Sequence, residues 1–404
     1  PLEKVEFYFK TRIDQGFNVV QMMVTSRSFN ETEFIPNYRG DLPFDSLKPV
    51  VLNNDYFAHL DAIVSMAEEQ GLILAMVPIW GSVLDQVFSK EDPAKARDYG
   101  RLLGERYKDR PHVVWIVCGE YHKVAWDWEP KLPDNSPDAS EFVLIRSLAE
   151  GLEAGHEGRN LMTIHPDGWR SSSEDFHYDD WLDFNTSQSY RIGGGTEFDV
   201  YNDYSLVPSK PTLLAEPGYE GGGAGNGAFE IRYEGYHSVL NGAFGYTYGA
   251  EGVWNMKDNW MDLLEIEGAT QMKYLRRLFE SRPLFKRAPA PDMIVRQMGS
   301  WIQKNKSMSA LARDRSYACI YFSDDTIPVK INIGMLSGDS LHAWWFNPRD
   351  GNLYDFNGSE TTLPSIIPVD ASDQLVSFNP PGERGKGFDW ILVLDDASKN
   401  YGQP

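Results

Sequence analysis

The sequence predicts an α/β fold, a (β/α)8 TIM-type barrel followed by a small antiparallel β-sandwich. Three observations carry this expectation. Up to about residue 285, apolar runs of strand length alternate with amphipathic helical segments. Polar residues gather at the C-terminal ends of those runs. Past the Ala-Pro-Ala-Pro segment ending at Pro291, the pattern changes to short alternating runs between turn residues.

An opening helix is read over Leu2–Gln15. A second spans Asp55–Gln70, where Phe57, Leu60, Ile63, Val64 and Ala67 recur at helical spacing and Gly71 stops it. A third spans Pro93–Lys108, with Ala96, Tyr99, Leu102, Leu103 and Tyr107 on one face. Between such helices lie seven apolar runs, at 17–24, 72–80, 112–120, 160–166, 181–190, 211–217 and 242–254. They suit parallel strands covered on both faces. An open doubly wound sheet is the competing arrangement, but it calls for a glycine-rich phosphate loop after its first strand. The GGGAGNG stretch, Gly221–Gly227, lacks that context and reads as a mobile loop. A barrel better explains why Trp80, Glu120, His165, Gln188, Glu216 and Trp254 all end their runs, since barrel enzymes work at that rim. A closed barrel needs eight strands, so the first is expected upstream of Pro1 and the visible runs become strands two to eight. The barrel is assigned to 1–288 and the sandwich to 289–404. In the latter, runs at 316–322, 328–333, 342–348 and 389–395 are separated by Asn-Pro, Asp-Gly and Asn-Gly turns.

With 38 basic against 59 acidic residues, the net charge is −21, and no basic cluster offsets it. Such a surface repels phosphate backbones and disfavours nucleic acid as a partner; acidity also simply keeps a protein in solution. Aromatic residues reach 13%, including 12 Trp and 20 Tyr, which suits stacking on sugar rings as well as ordinary core packing. Cys118 and Cys319 each sit in an apolar run and read as buried free thiols. No apolar run reaches the roughly 18 residues a membrane helix needs. The eight histidines show no metal-ligand spacing, and there is no G-x-S-x-G elbow. No cofactor is implied.

Cleaving a glycosidic bond takes one group to protonate the leaving oxygen and another to attack or to activate water, work that two carboxyl groups can share. Glu120 ends the fourth strand and Glu216 the seventh. This placement resembles the large clan of retaining barrel glycosidases, with the acid/base after strand four and the nucleophile after strand seven. Retention calls for the two carboxyls to stand about 5–5.5 Å apart.

The chain as a whole resembles glycoside hydrolase family 140, the apiosidase-like barrels with a C-terminal module of the collagen-binding type. The resemblance runs nearly end to end. It covers QGFNVVQ (15–21), AEEQGLILAMVPIWG (67–81), YGRLLGERYKDRPHVVWIVCGE (99–120) and LMTIHPDGWRSSSEDFH (161–177). It continues through WLDFNTSQS (181–189), KPTLLAEPGYE (210–220), GAFGYTYGAEGVW (242–254) and DWILVLDDA (389–397). It implies acid/base chemistry at Glu120 and a nucleophile at Glu216. Two departures stand out. The family's Gly-Gly-Asp is here Cys118-Gly119-Glu120, and its Gln-Ser-Gly-His begins here Gln188-Ser189-Tyr190. Both fall at pocket positions, so apiose is not carried over as the sugar.

Around this pair, Trp80 and Trp254 are candidate stacking platforms, His165 and Gln188 candidate partners for sugar hydroxyls, and Tyr190 a phenol lining the pocket. Tyr219 is a candidate to orient Glu216, whereas Glu220 reads as a loop brace. His122, Trp126 and Trp128 are candidates for distal subsites. The expected partner is a carbohydrate, a plant or microbial polysaccharide or its oligosaccharides. An endo-acting hydrolase of the same clan, and a non-catalytic carbohydrate- or matrix-binding protein, stay open as alternatives. The substrate class favours a secreted or periplasmic location; no signal peptide is visible, and an opening on Pro1 makes that silence uninformative.

Overall fold

The computed structural model describes residues 1–404 except 26–33, 90, 122–139, 190–195, 224, 296–306, 324–328 and 371–373. The chain divides into two compact units, Pro1–Gln188 and Ser189–Pro404.

The first unit runs α1 (Leu2–Asp14), β1 (Val19–Met23), β2 (Phe44–Leu47), β3 (Val50–Leu52), α2 (Asn54–Glu69), β4 (Ile73–Val77), α3 (Gly81–Val87), α4 (Ala94–Tyr107) and β5 (Val113–Gly119). It continues through α5 (Ser140–His156), β6 (Met162–His165), β7 (Arg170–Ser171), α6 (Ser173–Phe176) and β8 (Asn185–Gln188). Strands β1, β4, β5 and β6 pair in that order, all parallel. β8 lies beside β6: the Thr163 hydroxyl donates to the Phe184 carbonyl at 2.7 Å, and the Asp183 N–H to the Met162 carbonyl at 2.9 Å. Alternation along the strands sorts the side chains. Leu74, Met76, Val113, Trp115 and Val117 join the helices in one large core, while Ala75, Val77 and Ile116 face the other way, against Trp80.

The helices form where the periodicity placed them. α2 is capped by the Asn53 side chain, which accepts from the N–H groups of Asp55 and Tyr56, and Gly71 follows its end with φ +72°. α4 and α5 meet backbone to backbone through glycines. A Cβ on Gly100 would stand 2.3 Å from the Leu148 carbonyl oxygen, and one on Gly151 would stand 2.1 Å from that of Arg97. This close pair packs into the core beneath β5. The β2–β3 hairpin was not foreseen, because its residues carry no run of strand length.

The second unit begins with α7 (Thr196–Tyr204), β9 (Thr212–Glu216), α8 (Ala228–Leu240), β10 (Gly245–Tyr246) and α9 (Glu267–Glu280), with β9 and β10 parallel. Within the GGGAGNG stretch the Gly221 N–H donates to the Asn226 carbonyl and the Gly225 N–H to the Gly222 carbonyl. The run at 242–254 holds a strand only at its Gly245–Tyr246 segment.

Antiparallel structure follows: β11 (Arg287–Pro289), β12 (Ile294–Val295), β13 (Met308–Ala312), β14 (Tyr317–Phe322), β15 (Val329–Asn332), β16 (Ser340–Phe346), β17 (Leu353–Tyr354), β18 (Ser365–Pro368), β19 (Leu375–Phe378) and β20 (Trp390–Asp396). The larger sheet is ordered β11-β13-β14-β20-β16-β17, with β18 also on β16; the smaller is β12-β15-β19. These sheets fit the expected β-sandwich. Ala318, Ile320, Phe322, Trp345, Leu392 and Leu394 pack against Val329, Ile331 and Phe378 of the smaller sheet. The alternate residues, Tyr317, Cys319, Tyr321, Trp344, Phe346, Ile391 and Val393, pack on Tyr233, Tyr236, Val239, Leu278 and Phe279 of α8 and α9. The large sheet is therefore the middle of three layers, which is why β14 and β20 are buried on both faces.

Cys118 and Cys319 are both free and buried, as their apolar surroundings predicted. Burial pushes the Cys319 thiol up to about 12. No helix among the described residues is long and apolar enough to cross a membrane.

Candidate active site

In the first unit the chemistry gathers around Glu120, which follows β5 directly. Its backbone sits in the left-handed region, φ +40°, a conformation that costs a residue with a side chain about 1–3 kcal/mol. Neighbours hold it there. The Glu120 N–H donates to the His165 carbonyl at 2.9 Å, which joins the ends of β5 and β6. Gly81 supplies the room: a Cβ there would stand 2.2 Å from the Glu120 carbonyl oxygen.

The Glu120 carboxylate is gripped at both oxygens. Trp80 Nε1–H donates to Oε2 at 3.1 Å, and Gln188 Nε2–H donates to Oε1 at 3.1 Å. Trp80 precedes α3, and its indole lies over Gly119, where a Cβ would come within 2.2 Å of the ring. Its ring centroid is 5.6 Å from that of His165, the fully buried last residue of β6. Gln188 is fully buried at the end of β8, and its Oε1 accepts no hydrogen bond among the described residues. Four of the residues singled out from sequence thus meet at one end of the strands.

In the second unit Glu216 is the half-buried last residue of β9. Its carbonyl accepts from the Ser189 N–H at 2.8 Å. Tyr219 lies with its ring against Gly249, where a Cβ would stand 2.3 Å from it, and 6.4 Å from the Trp254 ring. Trp254 is 58% exposed; it sits in a turn beyond β10 rather than at a strand end, with Nε1–H donating to Glu251 at 3.3 Å. Glu220 is a brace: its carboxylate accepts from the Gly268 and Ala269 N–H groups at the start of α9 and from the Tyr248 hydroxyl at 2.7 Å.

Tyr190, His122, Trp126 and Trp128 lie outside the described residues. Two residues escaped the sequence reading. Trp169 follows β6 in an Asp-Gly turn, is 50% exposed and has φ +60°, and its N–H donates to the Gln188 carbonyl at 2.8 Å. The Asp-Gly pair before a tryptophan was the available signal. Glu234, only 4% exposed on α8, accepts from the Ser189 hydroxyl at 3.2 Å and from the Gly218 N–H at 3.0 Å. It carried no signal, because a glutamate on a helix ordinarily faces water. Among the described residues no group of three or more His, Cys, Asp or Glu side chains is placed to hold a metal ion.

Comparison with known proteins bears on this arrangement. The family described as "Apiosidase-like, catalytic domain" matches residues 1–286, and "Putative collagen-binding domain of a collagenase" matches 288–395. A solved structure described as a glycoside hydrolase is 25% identical, with a TM-score of 0.80 over 98% of this chain and 89% of that one. A glycoside hydrolase family 5 structure from Bacteroides vulgatus is also 25% identical, with a TM-score of 0.82 over 99% of this chain and 87% of that one. A search of the curated proteins finds no match. A catalytic-domain family takes the place of the non-catalytic binding protein held open above. Matched along most of its length, the chain is a glycoside hydrolase and belongs to the apiosidase-like catalytic-domain family.

Proposed function

We propose that this hydrolase is a retaining enzyme of glycoside hydrolase family 140, with Glu120 as acid/base and Glu216 as nucleophile on a (β/α)8 barrel spanning 1–288. The sandwich, 289–404, is its accessory domain. Protonated Glu120 gives its proton to the leaving glycosidic oxygen while the Glu216 carboxylate bonds to the anomeric carbon. Glu120, now ionised, takes a proton from water, whose oxygen displaces Glu216 and releases the sugar. The observation that carries the reading is that each glutamate stands at the C-terminal end of a parallel strand, Glu120 fixed by donors on both oxygens. Trp80, His165, Tyr219 and Trp254 are the proposed sugar-facing contacts. Gln188 joins them as a proposed partner for a sugar hydroxyl.

The test begins with reducing-sugar release from a panel of plant and microbial glycans and aryl glycosides. Proton NMR of the first product formed from a turned-over substrate then reads the anomeric configuration. The substrate's own configuration is expected in the product. An inverted anomer would remove Glu216 as nucleophile and leave a water-activating base in its place.

Gly119→Ala probes the grip on Glu120. The added methyl would strike the Trp80 ring and shift the indole that donates to the carboxylate. A fall in kcat/KM of about 10²-fold is expected, because displacements near 1 Å cost that much in a positioned site. Unchanged kinetics in a folded variant would mean that the orientation of Trp80 does not govern the acid.

A further inference from the structure

We propose that Glu234 is a positioning residue for Glu216, holding the chain around the nucleophile through backbone and hydroxyl contacts. The proposal rests on the reading of Glu216 as nucleophile. Glu216 itself is fixed at its carbonyl by the Ser189 N–H, at 2.8 Å. Two residues further on, the Gly218 N–H donates to one oxygen of Glu234 at 3.0 Å, while the Ser189 hydroxyl donates to the other at 3.2 Å. One carboxylate thus ties both sides of the Glu216 peptide: the residue that bonds to its carbonyl, and the loop it enters. Pro217 stands between, so the segment has no N–H there to secure it by other means.

The anchor is firm because α8 is firm. Every residue from Ile231 to Leu240 is buried, and two turns of the helix pack against the larger sheet. The helix is therefore a rigid base, and Glu234 projects from it toward the strand ends. Tyr246 of β10 faces the same carboxylate; burial, and next the charge of Glu234, push its hydroxyl well above the usual range. Ser189 and Gly218 belong to separate segments, and one buried carboxylate bonded to both fixes them relative to each other. A glutamine would keep the shape of Glu234 and can still accept from the Gly218 N–H and donate to the Ser189 hydroxyl, but both ties lose the negative charge that strengthens them.

The experiment uses the full chain and the 4-nitrophenyl glycoside turned over best in the panel. Glu234→Gln is expected to lower kcat by about 10–10²-fold with KM nearly unchanged, because the nucleophile is misplaced while the sugar contacts remain. Glu216→Gly, which lacks the nucleophile, is then supplied with azide, whose anion bonds to the anomeric carbon and forms the glycosyl azide of opposite configuration. Adding Glu234→Gln to that variant should leave the azide-dependent rate within about twofold, since no Glu216 side chain remains to be positioned. An equal loss in both backgrounds overturns the proposal and makes Glu234 a general packing residue. Full activity of Glu216→Gly without azide overturns the reading of Glu216 instead, and the proposal with it. Should Glu234→Gln fail to fold, Ser189→Ala removes one tie alone and is expected to lower kcat in the same direction; an unchanged kcat there refutes the coupling. Amide hydrogen exchange at Gly218, accelerated in Glu234→Gln and unchanged along β9, gives a reading independent of any substrate.

Discussion

Glu216→Gln is expected to lower kcat by about 10⁴-fold or more, the scale seen when a residue that forms the covalent intermediate is removed. Folding stability should change by no more than about 1 kcal/mol. The two expectations come from one fact. Glu216 is anchored through its backbone, by the Ser189 N–H on its carbonyl, and its half-buried side chain is not part of an apolar core cluster. Amide for carboxylate therefore changes the chemistry and leaves the packing alone. Steady-state kinetics on a turned-over glycan, with thermal unfolding alongside, measure both. Substantial activity in the folded variant would take the nucleophile's role from this residue. Glu120→Gln serves as the internal control: an acid is needed for a poor leaving group and hardly at all for 2,4-dinitrophenolate, so its defect should shrink with the better leaving group.

Asp389→Ala is expected to cost the fold about 3–5 kcal/mol, the range for breaking a buried ion pair and leaving its partner behind. Asp389 is fully buried and receives both Arg232 Nε–H, at 2.9 Å, and a terminal N–H, at 2.6 Å. The Tyr321 hydroxyl also donates to it at 3.1 Å, and Gln271 accepts from the same guanidinium. Burial works against the charge of Arg232, and Asp389 outweighs it, so the guanidinium stays above its ordinary value. Without Asp389 the charge remains in the interior with one neutral acceptor. A second pair, Arg282 with Asp395, ties the end of α9 to β20 in the same way. Denaturant unfolding of the variant measures the loss. A change under about 1 kcal/mol would mean that the helices and the large sheet are held by apolar contact alone. The same packing predicts that a chain ending near residue 288 aggregates, because Tyr233, Tyr236, Leu278 and Phe279 would lose the face that covers them.

These contacts change how the C-terminal module is understood. From sequence it was set apart as an accessory domain. In the structure its larger sheet is the floor on which α8 and α9 rest, and the compact division of the chain falls between Gln188 and Ser189. The face of the sheet toward the helices is occupied, so any ligand of the module must use another surface.

The sequence by itself determined α2, α4 and the parallel strands that lead into Glu120 and Glu216. Helical spacing in α2 and α4, and apolar runs at each parallel strand, are local properties, set by the pitch of a helix and the pleat of a strand. The tertiary structure alone decided which polar groups would be buried together. Nothing in the local sequence marks Arg232 and Glu234 as buried, because their partners stand far away in the chain: Asp389 lies 157 residues from Arg232, and Ser189 lies 45 from Glu234. The grip of Trp80 and Gln188 on Glu120 spans 40 and 68 residues. A periodicity can tell which side of an element is apolar. What a buried charge meets is a question of position, and position is fixed only when the whole chain has packed.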